Sequence, residues 1–598
     1  MVLRIIKNIF YITDKKQKII FFFIQTLIFF LSILEILSIF LLGGLIAFVS
    51  DKNINEKNTF LKKFLDYLNV NSIYSYTSIL VTIVIITSVL SIFSNWYIIL
   101  FAQKNGYQLS NNLYKNYLNK NWLFHTSNSS SKLINTIQHD AVRITEFLIV
   151  PLMHLNSKVV LLISMLFVVF YVNWLLTSLL VLIFAIFYIL FYLFIRDFFE
   201  KNGKKVSDLN EERLKILSES FSGIREVILY KLQYIFVKKF YSTSRSICAG
   251  NSLHALLSAL PKNILEILAL IIFVGMAIFF KQYNNSFNDQ LPTLVIYAVA
   301  AYKLIPAIQQ ITFYTSSIRA ASYSFDKILD DLKNQLLIEK NEIKNKTIIN
   351  RKKILLESNI ELKNISFAYE KIKKNVLNDI NFKIEKNSIL GIVGANGSGK
   401  STLLDILLGL IKPDRGQVII DGVNLTDENN INWSDNIGYV PQNTFLFDST
   451  VLENITLKDK NFDINYSKLN KILELSKLDE FIKNLPKGIN SSVGEKGYFL
   501  SGGTKQKILI ARSLYKNADI FIFDEATSAL DLDSQNDVID TILNLKNIGK
   551  TIIIVAHQIN ILRKCDKLIL IDQGNVSGCG NFEELKNNNL IFKKIFSL

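Results

Sequence analysis

The chain has 598 residues, a net charge of +16, 50% hydrophobic residues including 43 Phe and 24 Tyr, and a mean hydropathy of +0.28. It is too apolar for an ordinary soluble protein and too long for one domain, so membrane spans joined to a polar domain are expected. The positive charge lies on the flanks of apolar runs, which argues against nucleic-acid binding and for the Lys/Arg excess of cytoplasmic segments. Cys248, Cys565 and Cys579 show no metal or disulfide spacing, which fits a reducing compartment.

Residues 1–330 hold six apolar stretches, near 19–49, 78–101, 148–172, 175–195, 257–280 and 292–314. Each is long enough, or nearly so, for a hydrocarbon core of about 30 Å. The first far exceeds a signal-peptide core of about 7–15 residues, so a retained span is expected. Residues 102–147 and 196–245 are long and basic, and Arg4, Lys7, Lys15, Lys16 and Lys18 precede the first span. These segments are expected in the cytoplasm, with 50–77, 173–174 and 281–291 on the other side. Within 50–77, Phe60, Leu61, Phe64, Leu65 and Leu68 have helical spacing, so a short amphipathic helix is expected, on the outer leaflet or packed on the spans. Glu35, Glu266, Lys303 and Arg319 lie in or beside spans. Charges there are costly, and either pair with one another or line a polar route.

Residues 331–357 read as a charged connector. Period-2 alternation over Glu361–Phe367 then opens an α/β domain, residues 358–598. Strand-like Ile389–Val393 runs into Gly394-Ala395-Asn396-Gly397-Ser398-Gly399-Lys400-Ser401, a P-loop pattern followed by a helix from Thr402. Its backbone N–H groups can cradle phosphates, Lys400 neutralises the β/γ oxygens and Ser401 can ligate Mg²⁺. The apolar strand Ile520–Phe523 ends in Asp524, suited to the Mg²⁺ shell, and Glu525, suited to polarising an attacking water. Between them, Ser501-Gly502-Gly503-Thr504 opens another helix and makes a second anion-binding terminus. One nucleotide has no use for two such sites in one domain. A head-to-tail homodimer, each Ser501 turn closing over its partner's ATP, uses both.

The order of the P-loop, Gln442, Leu500–Thr504, Asp524-Glu525, Ser528-Ala529-Leu530-Asp531 and His557 resembles the ABC ATPase family throughout residues 358–598. The resemblance implies that Tyr369 stacks on adenine and that Gln442 senses Mg²⁺ and couples to the membrane domain. Ser501, Gly502 and Gly503 are then signature contacts, Asp531 lies at the dimer seam and His557 is the γ-phosphate switch. Thr504 stands where that signature usually has Gln. Val493–Gly497 resembles the loop that exporters of this class place beside the cross-domain contact.

Six spans before the ATPase resemble the type IV exporter fold, which implies transverse helices near 122–135 and 208–222. Glu35, Gly223–Glu226, Pro261–Glu266 and Ala300–Pro306 resemble the lipid-linked oligosaccharide flippases typified by PglK. The whole reading is a multi-domain chain: a six-helix all-α transmembrane domain followed by an α/β P-loop ABC ATPase domain. It implies ATP and Mg²⁺ as cofactors, a homodimer in the bilayer of a bacterial inner membrane, both termini cytoplasmic, and an amphiphilic lipid-linked glycan as cargo. The alternatives are an exporter of peptides or hydrophobic small molecules, or an ATP-gated channel or non-pumping regulator. The presence of both Glu525 and His557 argues against the latter.

Overall fold

In lipid a backbone must satisfy its polar groups internally, and the apolar runs do so as helices. The computed structural model describes residues 15–49, 73–172, 174–283, 287–345, 356–369, 374–426, 433–457, 464–527 and 530–596. The first part contains the long helices α1 (Lys15–Val49), α2 (Ile73–Leu118), α3 (Val150–Val172), α4 (Trp174–Ser222), α5 (Gln233–Tyr283) and α6 (Phe287–Asn345). Among the described residues, 5 helical stretches are long and apolar enough to cross a membrane. Only 6% to 28% of their most apolar windows is buried within the chain, so these faces need lipid or another protein surface.

Several helices overrun the expected spans. α4 continues through 208–222, where a separate transverse helix was expected. That run is rich in Glu, Leu, Lys and Arg, all good helix formers, and the break comes at Gly223, before the short helix Ile224–Leu229. Two short helices, Trp122–Ser127 and Ser130–Asn135, do stand at the first expected position. Pro261 lies inside α5 rather than opening it. α6 runs to Asn345, so residues 331–345 of the expected connector are helical. The remainder of that connector over 346–355, the outer segment Phe60–Leu68 and the pair Ser528-Ala529 fall outside the described residues.

By contacts the chain divides into two compact units, Met1–Lys120 with Phe124–Lys346, and Asn121–Leu123 with Thr347–Leu598. The second unit is built on two sheets. An antiparallel sheet has the order β2-β1-β4-β5, from β1 (Asn359–Phe367), β2 (Leu377–Glu385), β4 (Arg415–Ile420) and β5 (Val423–Asn424). The larger sheet has the order β10-β9-β3-β8-β7-β6. Its members are β3 (Ile389–Gly394), β6 (Ile437–Val440), β7 (Ile520–Asp524), β8 (Thr551–Val555), β9 (Lys567–Asp572) and β10 (Asn575–Gly580). All but β10 run parallel, and the central strands are nearly continuous apolar runs because both faces are covered. Alternate residues enter opposite cores: Ile389, Val393, Phe521 and Phe523 one cluster, Leu390, Ile392, Ile520 and Ile522 the other.

The first unit has its own core, where Ile24 and Ile28 of α1, Ile98 and Leu109 of α2, and Ile318 and Phe325 of α6 pack together. α4 and α6 touch at Gly203, where a Cβ would sit 2.3 Å from the Ala320 backbone oxygen. Small residues at such crossings let backbones approach closely. Gly203→Ala is therefore expected to destabilise by about 1–3 kcal/mol and to lower the melting temperature of the purified protein. Gly275→Ala, where an added Cβ meets nothing within 4 Å, serves as control. Equal melting of the two variants would show that this contact does not hold the helices together.

Candidate functional site

Strand order builds the site. β3, β8, β7 and β6 are neighbours, and in parallel sheets ligands bind beyond the carboxyl ends of the strands. Beyond β3 comes the turn Gly394–Gly399; just beyond β8 stands His557; β7 ends in Asp524, followed by Glu525; Gln442 lies two residues past β6. Residues far apart in sequence are thus brought together because their strands are adjacent.

The turn after β3 needs left-handed backbone at Gly397 (φ 78°) and Gly399 (φ 105°). It leads into helix α7 (Lys400–Leu407), whose N-cap, Gly399, offers no side-chain acceptor. The first-turn N–H groups therefore call for an outside acceptor. The Ser398 hydroxyl is buried and has no hydrogen-bond partner. Lys400 folds back so that Nζ donates to the Gly394 and Ala395 carbonyls at 2.8 and 3.0 Å. Burial pushes the Lys400 ammonium below its usual range, while Glu525 and Asp524 act in the opposite sense. These features fit phosphate oxygens. Ser401 and Thr402 continue the first turn, and the Tyr369 hydroxyl shares a hydrogen bond with Thr402 Oγ1 at 3.2 Å, its ring edge against Phe367.

Glu525 is the hub. Its Oε2 accepts from Gln442 Nε2 at 2.7 Å and its Oε1 lies 3.2 Å from His557 Nε2. Its backbone is left-handed (φ 47°), held by an N–H bond of 2.9 Å to the Val555 carbonyl of β8. Asp524 is pushed up by burial first and then by Glu525, with the Tyr439 hydrogen bond and Lys400 opposing. A cation beside this carboxyl would oppose that upward shift and favour its charged form.

Ser501 and Asp531 stand elsewhere. Ser501 caps helix α8 (Gly502–Tyr515), accepting from the Thr504 N–H at 3.2 Å, while the Ser501 and Thr504 hydroxyls are 2.9 Å apart. Thr504 thus takes part in the cap that it completes. Asp531 caps helix α9 (Leu532–Asn547) by accepting from the Ser534 N–H at 3.2 Å, and bonds from Ser534 hold its carboxyl below the usual range. The two caps are neighbours: a Cβ on Gly503 would meet Ser534 Oγ at 2.9 Å. Among the described residues no hydrogen bond or ion pair joins Ser501, Gly502, Gly503 or Asp531 to the turn after β3.

Two residues escaped the sequence reading. Tyr439 of β6 donates its hydroxyl to Asp524 Oδ2 at 3.5 Å, from the one exposed position in a strand otherwise buried, and nothing in the sequence marks it. In the helical unit, Lys158 lies within electrostatic reach of both Glu35 and Lys303. It is the one Lys or Arg in the apolar run 148–172, a cue open to view. Of the charges expected to pair, Glu266 meets Lys262 one turn away at 3.7 Å, and Arg319 stacks on Tyr192 with its guanidinium 5.0 Å from the ring.

Residues 377–528 match the family profile described as ABC transporter, and residues 21–299 that described as ABC transporter transmembrane region. An ATP-dependent lipid A-core flippase of Haemophilus influenzae is 28% identical over 530 residues, 87% of each chain. A putative export ATP-binding/permease protein of Rickettsia typhi is 26% identical over 576 residues, 93% of each. A solved structure described as a bacterial Atm1-family ABC exporter with ATP bound shares the fold, with a TM-score of 0.74, 20% identity, and coverage of 95% of this chain and 97% of that one. Both profiles and both parts of the fold agree: the chain belongs to the ABC transporters, a multi-pass membrane protein that binds ATP and couples its hydrolysis to transport.

Proposed function

We propose that the protein is a homodimeric flippase or exporter that moves a lipid-linked oligosaccharide or related glycolipid across the bacterial inner membrane, its ATPase domain and both termini in the cytoplasm. The observation that carries this reading is Lys158 on α3, within electrostatic reach of both Glu35 of α1 and Lys303 of α6 in a largely apolar bundle. Two lysines and one carboxylate thus share this region, and a lysine at bilayer depth is costly unless a cavity or an anion attends it. Around them, Asn156 donates to Gln25 and the His154 ring stacks on Tyr314, extending a polar path along α1, α3 and α6. An amphiphile with an anionic head fits such a path. The similarity to a protein named as a lipid A-core flippase supports an amphiphilic cargo.

At the nucleotide, the Gly394–Gly399 backbone, Lys400 and the first turn with Ser401 and Thr402 hold the phosphates, and Tyr369 faces the base. Ser401, Asp524 and Gln442 would hold Mg²⁺, which when bound would supply positive charge to the phosphate oxygens. Glu525 orients the attacking water. Gln442 and His557, one on each of its oxygens, fix the carboxylate's direction, and His557 reports the γ-phosphate. Ser501, Gly502, Gly503 and Asp531, remote from the chain's own P-loop residues in bonding, serve the partner's nucleotide.

Glu525→Gln is expected to abolish ATP turnover while retaining ATP binding, with two copies held closed in native mass spectrometry. Wild-type turnover in this variant, or a purely monomeric protein, would refute the scheme. Tyr439→Phe removes the hydroxyl on Asp524 but keeps the ring, and should raise the Mg²⁺ concentration for half-maximal ATPase by about three- to tenfold. An unchanged Mg²⁺ dependence would free Asp524 from Tyr439.

Lys303→Ala and Lys158→Ala should each slow glycolipid flipping in liposomes by about tenfold or more. If the lysines serve packing alone, flipping per folded molecule stays normal, and Glu35→Gln restores the melting temperature that Lys158→Ala lowers. Transport of peptides with no response to glycolipid would favour a peptide exporter instead.

A further inference from the structure

A second cavity in the helical unit is polar. It has a volume of about 220 Å³ and is lined by Arg143, Glu146, Asn202, Asn251 and His254, among others. That is below the about 300–1,000 Å³ of pockets that take a whole small ligand, so it suits one part of a larger molecule. His254 is 9% exposed, and its Nε2 has no hydrogen-bond partner among the described residues. The ring also meets the Ser316 backbone, which leaves Nε2 as the unused acceptor. Glu146 and Asn251 make no hydrogen bond or ion pair among the described residues and are exposed to the cavity. Arg143 gives one bond to the Ala320 carbonyl at 3.2 Å, leaving further N–H groups for a guest.

The wall itself is unusual. The stretch leading into α3 is π-helical at Thr136–Asp140 and again at Thr145–Ile149. These wide turns carry His139, Asp140, Glu146 and Phe147 to the cavity. π-turns inside helices are rare and recur at functional sites. Asp140 is already engaged, accepting from Ser207 and Ser324 and pairing with Lys327 at 3.6 Å. With Asp140 and Glu146 beside one guanidinium, a phosphate is poorly served. A neutral group rich in hydroxyls, which both donates and accepts and lays a ring on Phe147, is well served.

An apolar groove of about 280 Å³ lies on the same helices. Leu265 on α5 lines the groove and His254 the cavity, eleven residues away; Ile311 and Ala320 do likewise on α6. At 1.5 Å per residue the two sites are about 14–17 Å apart along the helices. The groove lies in the apolar spans, and the cavity lies past their ends, where α6 runs on toward Asn345. A polar site in line with an apolar one is the shape of an amphiphile.

We infer that the polar cavity holds one sugar ring of the cargo's head group, with the lipid chain along the apolar groove. The inference rests on the reading of the cargo as a glycolipid and names where its sugar is recognised.

The test uses the full chain in nanodiscs and reads the lipid concentration that half-maximally stimulates ATPase. The probes are undecaprenyl diphosphate and undecaprenyl diphosphate carrying N-acetylglucosamine. In Asn251→Ala and His254→Ala the value for the sugar-bearing lipid should rise by about tenfold, and that for the bare lipid by less than about twofold. Asn251 is exposed, so its truncation spares the packing, whereas the His254 ring touches Phe199 and Phe313 and its variant is checked by melting. Equal shifts for both lipids, or none in Asn251→Ala, overturn the sugar site and leave the flippase reading standing. If the unsubstituted protein responds to neither lipid, the glycolipid reading falls and the sugar site falls with it.

Discussion

The polar link Gln442–Glu525–His557 depends on strand order more than on any local feature. Each residue lies just past a strand end, and the strands β6, β7 and β8 are neighbours. The apolar sequence of these strands buries them on both faces, which fixes the sheet and thereby the spacing of the polar residues at its rim. A carboxylate with both oxygens engaged loses freedom of rotation. The strands thus hold the Glu525 carboxylate at one angle, as a rigid scaffold does.

The ATPase half was legible because its chemistry is written in short contiguous runs. The turn Gly394–Ser401 and the pair Asp524-Glu525 carry their own local reasons: glycines at positive φ and an apolar strand that ends in carboxylates. Tyr439 was not legible, because its partner is 85 residues away and a tyrosine near a strand end has many uses. The helical half was legible as apolar runs but not in its lengths. Good helix formers carried α4 through 208–222 and α6 to Asn345, so helical propensity outran the hydropathy boundary. The Lys262–Glu266 pair was visible in principle from its spacing of four. The cluster of Glu35, Lys158 and Lys303 was not, since it joins three helices whose mutual rotation no periodicity specifies.

The two halves use charge in opposite ways. At the nucleotide end, acidic groups gather round one buried lysine, an arrangement that a bound cation and phosphates balance together. In the bundle, two lysines, Lys158 and Lys303, share the field of one acid, Glu35. The polar extensions of the helices show a third pattern, where Asp140 accepts two hydroxyls on one oxygen and pairs with Lys327 through the other, a structural tie between helices.

The left-handed backbone at Glu525 has a bearing on engineering. A residue with a Cβ gives up about 1–2 kcal/mol in that conformation, which glycine does not. Any scheme that ranks positions by backbone comfort would place Glu525, with Asp421, Gln573 and the other non-glycine residues at positive φ, among its candidates for glycine and score the change as an improvement. It would gain robustness by deleting the carboxylate on which Gln442 and His557 converge. A thermostable version of this protein therefore has to be sought away from the rim of the sheet, with Glu525 left in place.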